Sequence, residues 1–206
     1  KEFDYNKITY NLNDKDLQND DFFKVVYIGS VRLANNIIKL IEAASLIKSS
    51  SHIKILIYGD GDEREKLISY CKKENISNVI FKEKWVNPKY VPYILSKSNL
   101  NILNYSPNYI WKYGGSQSKL FQYLASGKPI ISNLKMGYCL ITKFNLGIAK
   151  EFNSIHDYAE SILKIANLNK EEYESMGINS RKTALNFDYL KLTSSLISII
   201  NKTKII

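Results

Sequence analysis

Cysteine and histidine are scarce in this 206-residue chain, and long apolar runs are missing altogether. The two cysteines, Cys71 and Cys139, form no C-x-x-C pair and have no histidine cluster beside them. That excludes a disulfide framework and a zinc site of the usual spacing, and it suits a reducing compartment. No stretch reaches the roughly 18 to 20 consecutive apolar residues that cross a bilayer. The opening KEFDYNKITYNLNDKD has no basic region leading into an apolar one, so the chain reads as soluble and without a signal peptide. His52 and His156 lack a Ser, Asp or metal-ligand partner nearby in sequence, and neither a catalytic triad nor a metal constellation is visible. Tyrosine is abundant, yet Tyr90, Tyr93, Tyr105, Tyr109 and Trp111 build no RNP-like motif, so no nucleic-acid partner is expected.

What is present is a core. With 45% apolar and 24% charged residues, the chain has the size and composition of one globular domain. The formal charge of +9, from 29 basic against 20 acidic residues, favours an anionic partner of some kind: nucleic acid, a phosphorylated small molecule or an acidic membrane face. Much of that excess is lysine in a chain rich in Ile, Asn and Lys, a bias that genome composition alone produces.

Residues 1–21 are polar and read as a lead-in or linker with one short strand at most, in FDYNKITYN. From Phe22 a unit repeats: a short β-branched run, a loop, then apolar residues at helical spacing. The strands expected are FFKVVYIG, IKILIYG, NVIFK, NLNILNY, PIIS and GIAKE, with helices between them, MGYCLITKF included. Three helices should close the chain over 154–167, 170–186 and 189–202. Six buried-type strands alternating with helices predict an α/β, doubly wound, parallel six-stranded sheet over 22–206. Its ligands bind at the carboxyl ends of the strands, near the switch in strand order. No other repeat and no low-complexity tract is present.

Three loops then matter. GDGDER (59–64) follows a strand as a dinucleotide fingerprint would, but Arg64 stands at the third glycine position and Asp60, Asp62 and Glu63 would repel a pyrophosphate. It reads as a tight turn with acidic residues at a helix start. GSVRLANN (29–36) offers Gly29 for close approach, then Ser30, Arg32, Asn35 and Asn36 as donors suited to phosphate; the alternative is a solvated loop whose Asn caps a helix. YGGSQSKLFQYLASGKPIIS begins a helix near Ser116 to Ser118. Its free N–H groups carry partial positive charge, Gly114 and Gly115 leave them accessible, and Ser116, Gln117, Ser118 and Lys119 add donors. Leu120, Phe121, Leu124 and Ala125 make the buried stripe, Gln122 faces elsewhere, and Gly127 with Pro129 ends the helix. The competing description is an ordinary capped core helix.

Taken in order, YIGSVRLANNIIKLIEAA, ILIYGDGDEREKL, NVIFKEKWVNPKYVPYILSKSNLNIL, GGSQSKLFQYLASGKPIIS and FNLGIAKEFNSIHDYAESI resemble the C-terminal, nucleotide-sugar-binding domain of the GT-B glycosyltransferases, in particular family 4 enzymes of bacterial polysaccharide assembly. EEYESMGINSRKTALNFDYLKL is similar to their closing segment. The resemblance implies a Rossmann-like half of a two-domain, retaining, metal-independent enzyme whose N-terminal half is absent here and holds most of the acceptor site. It implies a UDP-sugar or GDP-sugar donor and no cofactor. The diphosphate is expected near Gly29, Ser30, Arg32 and Asn36 and at the helix start formed by Gly115, Ser116, Gln117, Ser118, Lys119 and Leu120. The base is expected by Lys84, Trp85 and Val86, and the ribose by Gln122. Relatives often carry Glu, seven residues, Glu along this helix; here Gly114 and Gln122 stand at those places, and no residue presents itself as a catalytic base. The acceptor is expected to be a glycan or lipid-linked, in capsule, lipopolysaccharide or exopolysaccharide synthesis, with the enzyme cytoplasmic and peripheral at an anionic inner membrane face. A GT-B nucleotide-sugar epimerase, or a non-catalytic basic module holding a membrane or glycan, are the other readings.

Overall fold

The computed structural model describes residues 1–203. Every expected strand forms: β1 (Phe23–Ile28), β2 (Ile53–Tyr58), β3 (Val79–Phe81), β4 (Leu100–Leu103), β5 (Ile130–Ser132) and β6 (Gly147–Ala149). All pair in parallel, in the order β3-β2-β1-β4-β5-β6, with Phe23 opposite Ile53 and Val25 opposite both Ile55 and Leu100. The chain moves outward from β1 to β3, then returns to lay β4 on the other flank of β1. The crevice of this doubly wound sheet therefore opens between the carboxyl ends of β1 and β4.

Strand residues alternate between two apolar layers because successive side chains leave opposite faces of the pleat. Val25, Tyr27, Ile55, Ile57 and Ile102 pack beneath α3 (Ile37–Leu46), α4 (Arg64–Lys73) and α8 (Ile155–Ala166). Val26, Ile28, Leu56, Tyr58 and Leu103 pack beneath α5 (Val91–Lys97) and α6 (Ser118–Ser126). Each fully buried Leu or Ile in these layers contributes about 1.5–3 kcal/mol. Helix α9 (Lys170–Ala184) lies against α6, and Arg181 on it donates to the Ala125 carbonyl and to Asp4. The closing helix α10 (Tyr189–Thr203) buries none of its residues.

Three expectations need correction. The strand sought in FDYNKITYN is a helix, α1 (Glu2–Thr9), with Glu2 and Asp4 in its first turn and Lys7 in its last, charges that complement the helix dipole; it rests on α5. The core does reach back before Phe22. Asp14 caps the short helix α2 (Lys15–Gln18) through the N–H groups of Asp16 (3.0 Å) and Leu17 (3.2 Å), and Leu17 is fully buried. The helix sought in MGYCLITKF shrinks to α7 (Leu140–Lys143), because Gly137 is tied instead to the Trp111 carbonyl. Among the described residues no helix is long and apolar enough to cross a membrane.

Candidate functional site

The carboxyl ends of β1 and β2 and the loop after β3 enclose a cavity of about 330 Å³ with α6. Gly29 and Ser30 form its floor, Lys84, Trp85 and Val86 one wall, and Lys119, Gln122 and Tyr123 the other. Two glycines are required by geometry. A Cβ on Gly29 (φ +143°) would collide with the Cε and Nζ of Lys119, and one on Gly59 (φ +123°) would collide with the Gly29 carbonyl. The side chain of Lys119 thus reaches the end of β1 only because that residue is glycine.

Lys119 Nζ donates to Tyr27 Oη (3.0 Å), which itself donates to the Ser30 carbonyl (2.6 Å). The ammonium also lies 4.7 Å from the Tyr27 ring centroid and 6.0 Å from that of Tyr105. Among the described residues no carboxylate pairs with it. Burial without a counter-charge pushes its pKa down to about 8. Burial also raises the Tyr27 phenol far above its usual range, so that group stays protonated and keeps donating to Ser30. The result is a desolvated cation, held by two aromatic rings and a hydroxyl, facing an open cavity that Asp60 also lines without pairing with it.

Seven of the expected site residues are gathered here: Gly29, Ser30, Lys84, Trp85, Val86, Lys119 and Gln122. The others stand outside the cavity wall. Arg32 is exposed ahead of a 3-10 turn, and Asn36 adopts φ +49° before α3, makes no side-chain cap, and faces a separate cavity of about 310 Å³ beside α8. At the entrance to α6 a Cβ on Gly114 would meet the Tyr138 ring and one on Gly115 would lie against Trp111 and Met136, while Gly115 itself is exposed. Gln117 turns inward, donating to the Met136 sulfur (3.4 Å) with Oε1 unpartnered, while Ser116 and Ser118 are exposed and Leu120 is core.

GDGDER behaves as a turn. Val31 takes up its backbone on both sides, through Val31 N–H to Asp60 (2.8 Å) and Glu63 N–H to Val31 (3.2 Å). Arg64, 5% exposed, donates to the carbonyls of Gly59 (2.8 Å) and Lys82 (2.6 Å), locking the ends of β2 and β3 together from one sheet face. Asp14 does the same from the other face, a contact sequence reasoning missed. It accepts from Tyr58 Oη (2.6 Å) at the end of β2 and from Lys82 Nζ (2.7 Å) just after β3. Tyr27 and Tyr123 were missed as well; the only available signal was a hydroxyl in an otherwise apolar element ending at the site.

The sequence profile of the family described as Glycosyl transferases group 1 matches residues 11–183. No curated protein sequence matches significantly. Among solved structures, sucrose-phosphate synthase from Thermosynechococcus elongatus is similar at 18% identity and a TM-score of 0.73, over 97% of this chain and 50% of that one. A variant of S. aureus TarM, in complex with fondaparinux, alpha-GlcNAc-glycerol and UDP, matches at 22% identity and a TM-score of 0.69, over 95% of this chain and 37% of that one. The C-terminal domain of the group 1 protein LpcC from Francisella tularensis matches at 14% identity and a TM-score of 0.67, over 89% of this chain and 97% of that one. The chain thus spans half or less of the first two relatives and nearly all of the third. The six-stranded parallel sheet is the Rossmann-like fold of these GT-B structures. Since the profile runs through most of its length, the chain belongs to the Glycosyl transferases group 1 family.

Proposed function

We propose that this chain is the donor-binding domain of a retaining glycosyltransferase, which passes a sugar from UDP or GDP to a glycan or lipid-linked acceptor in cell-envelope polysaccharide synthesis. The observation that carries the reading is Lys119, an unpaired and desolvated cation held across Gly29 at the cavity floor. A diphosphate in that cavity restores the missing counter-charge. As the sugar leaves, negative charge collects on the diphosphate, and a preorganised ammonium beside a helix start stabilises it without reorganising at that moment. In this reading Trp85 and Val86 face the base, Gln122, one turn beyond Lys119, takes the ribose, and no metal is expected. The acceptor and the groups that act on the sugar belong to a second, N-terminal domain. The TarM structure in complex with UDP supports the choice of ligand class.

Calorimetry with UDP, GDP and their sugars tests it directly: one nucleoside diphosphate series is expected to bind, and binding by neither removes the donor reading. The 206-residue chain alone is expected to transfer no sugar until its N-terminal half is supplied; robust turnover without that half would contradict the division of labour.

Protonation gives an independent check. Because the pKa of Lys119 is lowered to about 8, close to half of it is neutral at pH 8, and a bound diphosphate raises that pKa again. Binding at pH 8 is therefore expected to take up approaching half a proton, read as a dependence of the heat on the buffer's ionisation enthalpy, and to weaken as pH rises from 8 to 10. A heat independent of buffer would show that Lys119 does not face the anion.

A further inference from the structure

Among the described residues four tyrosines are fully or almost fully buried: Tyr27, Tyr58, Tyr123 and Tyr158. Three of their hydroxyls are satisfied inside the fold. Tyr27 Oη donates to the Ser30 carbonyl (2.6 Å), Tyr58 Oη to Asp14 (2.6 Å) and Tyr158 Oη to Asn104 (2.8 Å). Tyr123 Oη is shut away from solvent and has no hydrogen-bond partner. The Ile28 N–H at the end of β1 approaches its oxygen without closing a bond of normal geometry, which leaves the hydroxyl proton with nothing to donate to. Burial raises this phenol far above its usual range, so the proton stays in place. An unsatisfied buried hydroxyl costs stability, and phenylalanine would fill the same space without that cost.

This hydroxyl is not lost in the core. Tyr123 lines the cavity at the carboxyl ends of β1 and β2, one helical turn, about 6 Å, further along α6 than Lys119. Its neighbours in the wall include Ile28, Val86 and Val91, which belong to the same apolar layer. A ribose among them would leave its own hydroxyls against hydrocarbon. The flat ring of a nucleobase instead buries its faces there and presents polar atoms only at its edge. Gln122, which takes the ribose in the proposed function, is exposed, while Tyr123 beside it is fully buried, so the base points inward and its edge remote from the sugar meets the hydroxyl. What a lone O–H donor asks of that edge is an acceptor. Uracil presents O4 there and guanine O6, whereas cytosine and adenine present amino groups, which would set donor against donor.

We infer that Tyr123 is a specificity-determining residue of this site, donating its hydroxyl proton to the exocyclic carbonyl of a uracil or guanine base and so disfavouring cytosine and adenine. The inference rests on the donor reading and deepens it, from a nucleoside diphosphate of any base to one whose base carries that carbonyl. It also accounts for a hydroxyl that the fold itself does not use.

Calorimetry on the 206-residue chain with UDP against CDP, and with GDP against ADP, tests it in wild type, Y123F and Y158F. Wild type is expected to bind the carbonyl-bearing member of one pair roughly tenfold more tightly than its amino counterpart, equivalent to about 1.4 kcal/mol. The pair that responds distinguishes uracil from guanine. Y123F should bring that pair to within about twofold, by losing affinity for the carbonyl member, and should melt at or above wild type when no ligand is present. Y158F removes a bonded hydroxyl from the opposite face of the sheet; it should melt lower, because Asn104 Oδ1 loses its donor, and keep the wild-type ratio. A Y123F protein that keeps the tenfold ratio, or a wild type that binds both members of each pair equally, would overturn the inference and leave the donor reading standing. So would a Y123F protein that melts well below wild type, since its hydroxyl would then be bonded within the fold. Binding of none of the four nucleotides by wild type would remove the donor reading and this inference together.

Discussion

Replacing Lys119 with methionine is expected to weaken UDP or GDP binding roughly ten- to a hundredfold while leaving the parent nucleoside almost unaffected. One charge-assisted contact is lost, worth ~1.5–3 kcal/mol, and the methionine stem still fills the channel over Gly29. The same variant should be more stable than the wild type at pH 7. The folded-state pKa of Lys119 lies below its unfolded value, so the cost of burying its charge is fully present below pH 8 and fades only as pH rises toward the unfolded value near 10.4. Removing the charge removes that cost. Calorimetry and thermal melts on one preparation decide both points: weaker binding joined to a higher melting temperature is the signature of a residue kept for function. Replacing Gln122 with alanine should differ, reducing nucleoside and nucleotide affinity alike. If the methionine variant binds the nucleoside diphosphate as tightly as wild type, Lys119 is a core lysine and the cavity belongs to another ligand.

Replacing Asp14 with alanine is expected to cost about 3–5 kcal/mol of stability, the largest effect of any single change considered for this protein. Its fully buried carboxylate accepts from Lys82, Tyr58 and two backbone N–H groups, and truncation leaves Lys82 with Asp16 alone and the Tyr58 hydroxyl without its partner. Asparagine should cost less because it preserves an acceptor for the N–H groups. Burial opposes ionisation of Asp14, but the bonds from Lys82, Tyr58 and Leu17 outweigh it and hold the pKa below the usual carboxylate value. The stabilisation is thus complete above the unfolded pKa near 4 and is lost as pH falls below it. Urea denaturation at pH 7 and at pH 3 should show the gap between wild type and the alanine variant narrowing in acid. A gap under 1 kcal/mol at pH 7 would mean that the clamp contributes little. Because Tyr58 and Lys82 hold the walls on which Gly59 and Lys84 stand, nucleoside affinity should decline with it.

The sheet was legible because both its faces are buried: runs such as VVYI and ILIY have no polar side to blur them, and the glycines that end them mark the strand ends directly. The helices after them were legible from apolar spacing. Residues 1–21 were not, because their contribution to the core is Leu17, the partly buried Phe3 and Leu12, and the capping aspartate Asp14, scattered through a polar stretch, and the partners of that aspartate lie 44 and 68 positions away. The site divided along the same line. Gly29 and Lys119 were read from local chemistry, and the fold brings them into contact. The N–H cradle at Gly115 to Ser118 was read from the same kind of chemistry, and the fold leaves Gly115, Ser116 and Ser118 exposed outside the cavity wall, with Trp111 and Met136 beside them. Which side chains will occupy a loop's open side is a property of distant segments, and glycine there signals close approach without naming what approaches.

The bond between Asp4 and Arg181 joins residues 177 positions apart, at 2.7 Å. Helix α1 precedes every strand in the chain, but its anchor on α9 does not exist until all six strands have been made. During synthesis the segment can meet α5 once three strands have appeared, but its ion pair with Arg181 must wait for all six. Contacts of such separation are entropically costly to close early, and they slow the final step more than the first. For this one ion pair, the earliest helix in the chain is secured by one of the latest. Arg181, which bonds α6 as well, ties the first helix of the chain to elements on both sides of the last strands.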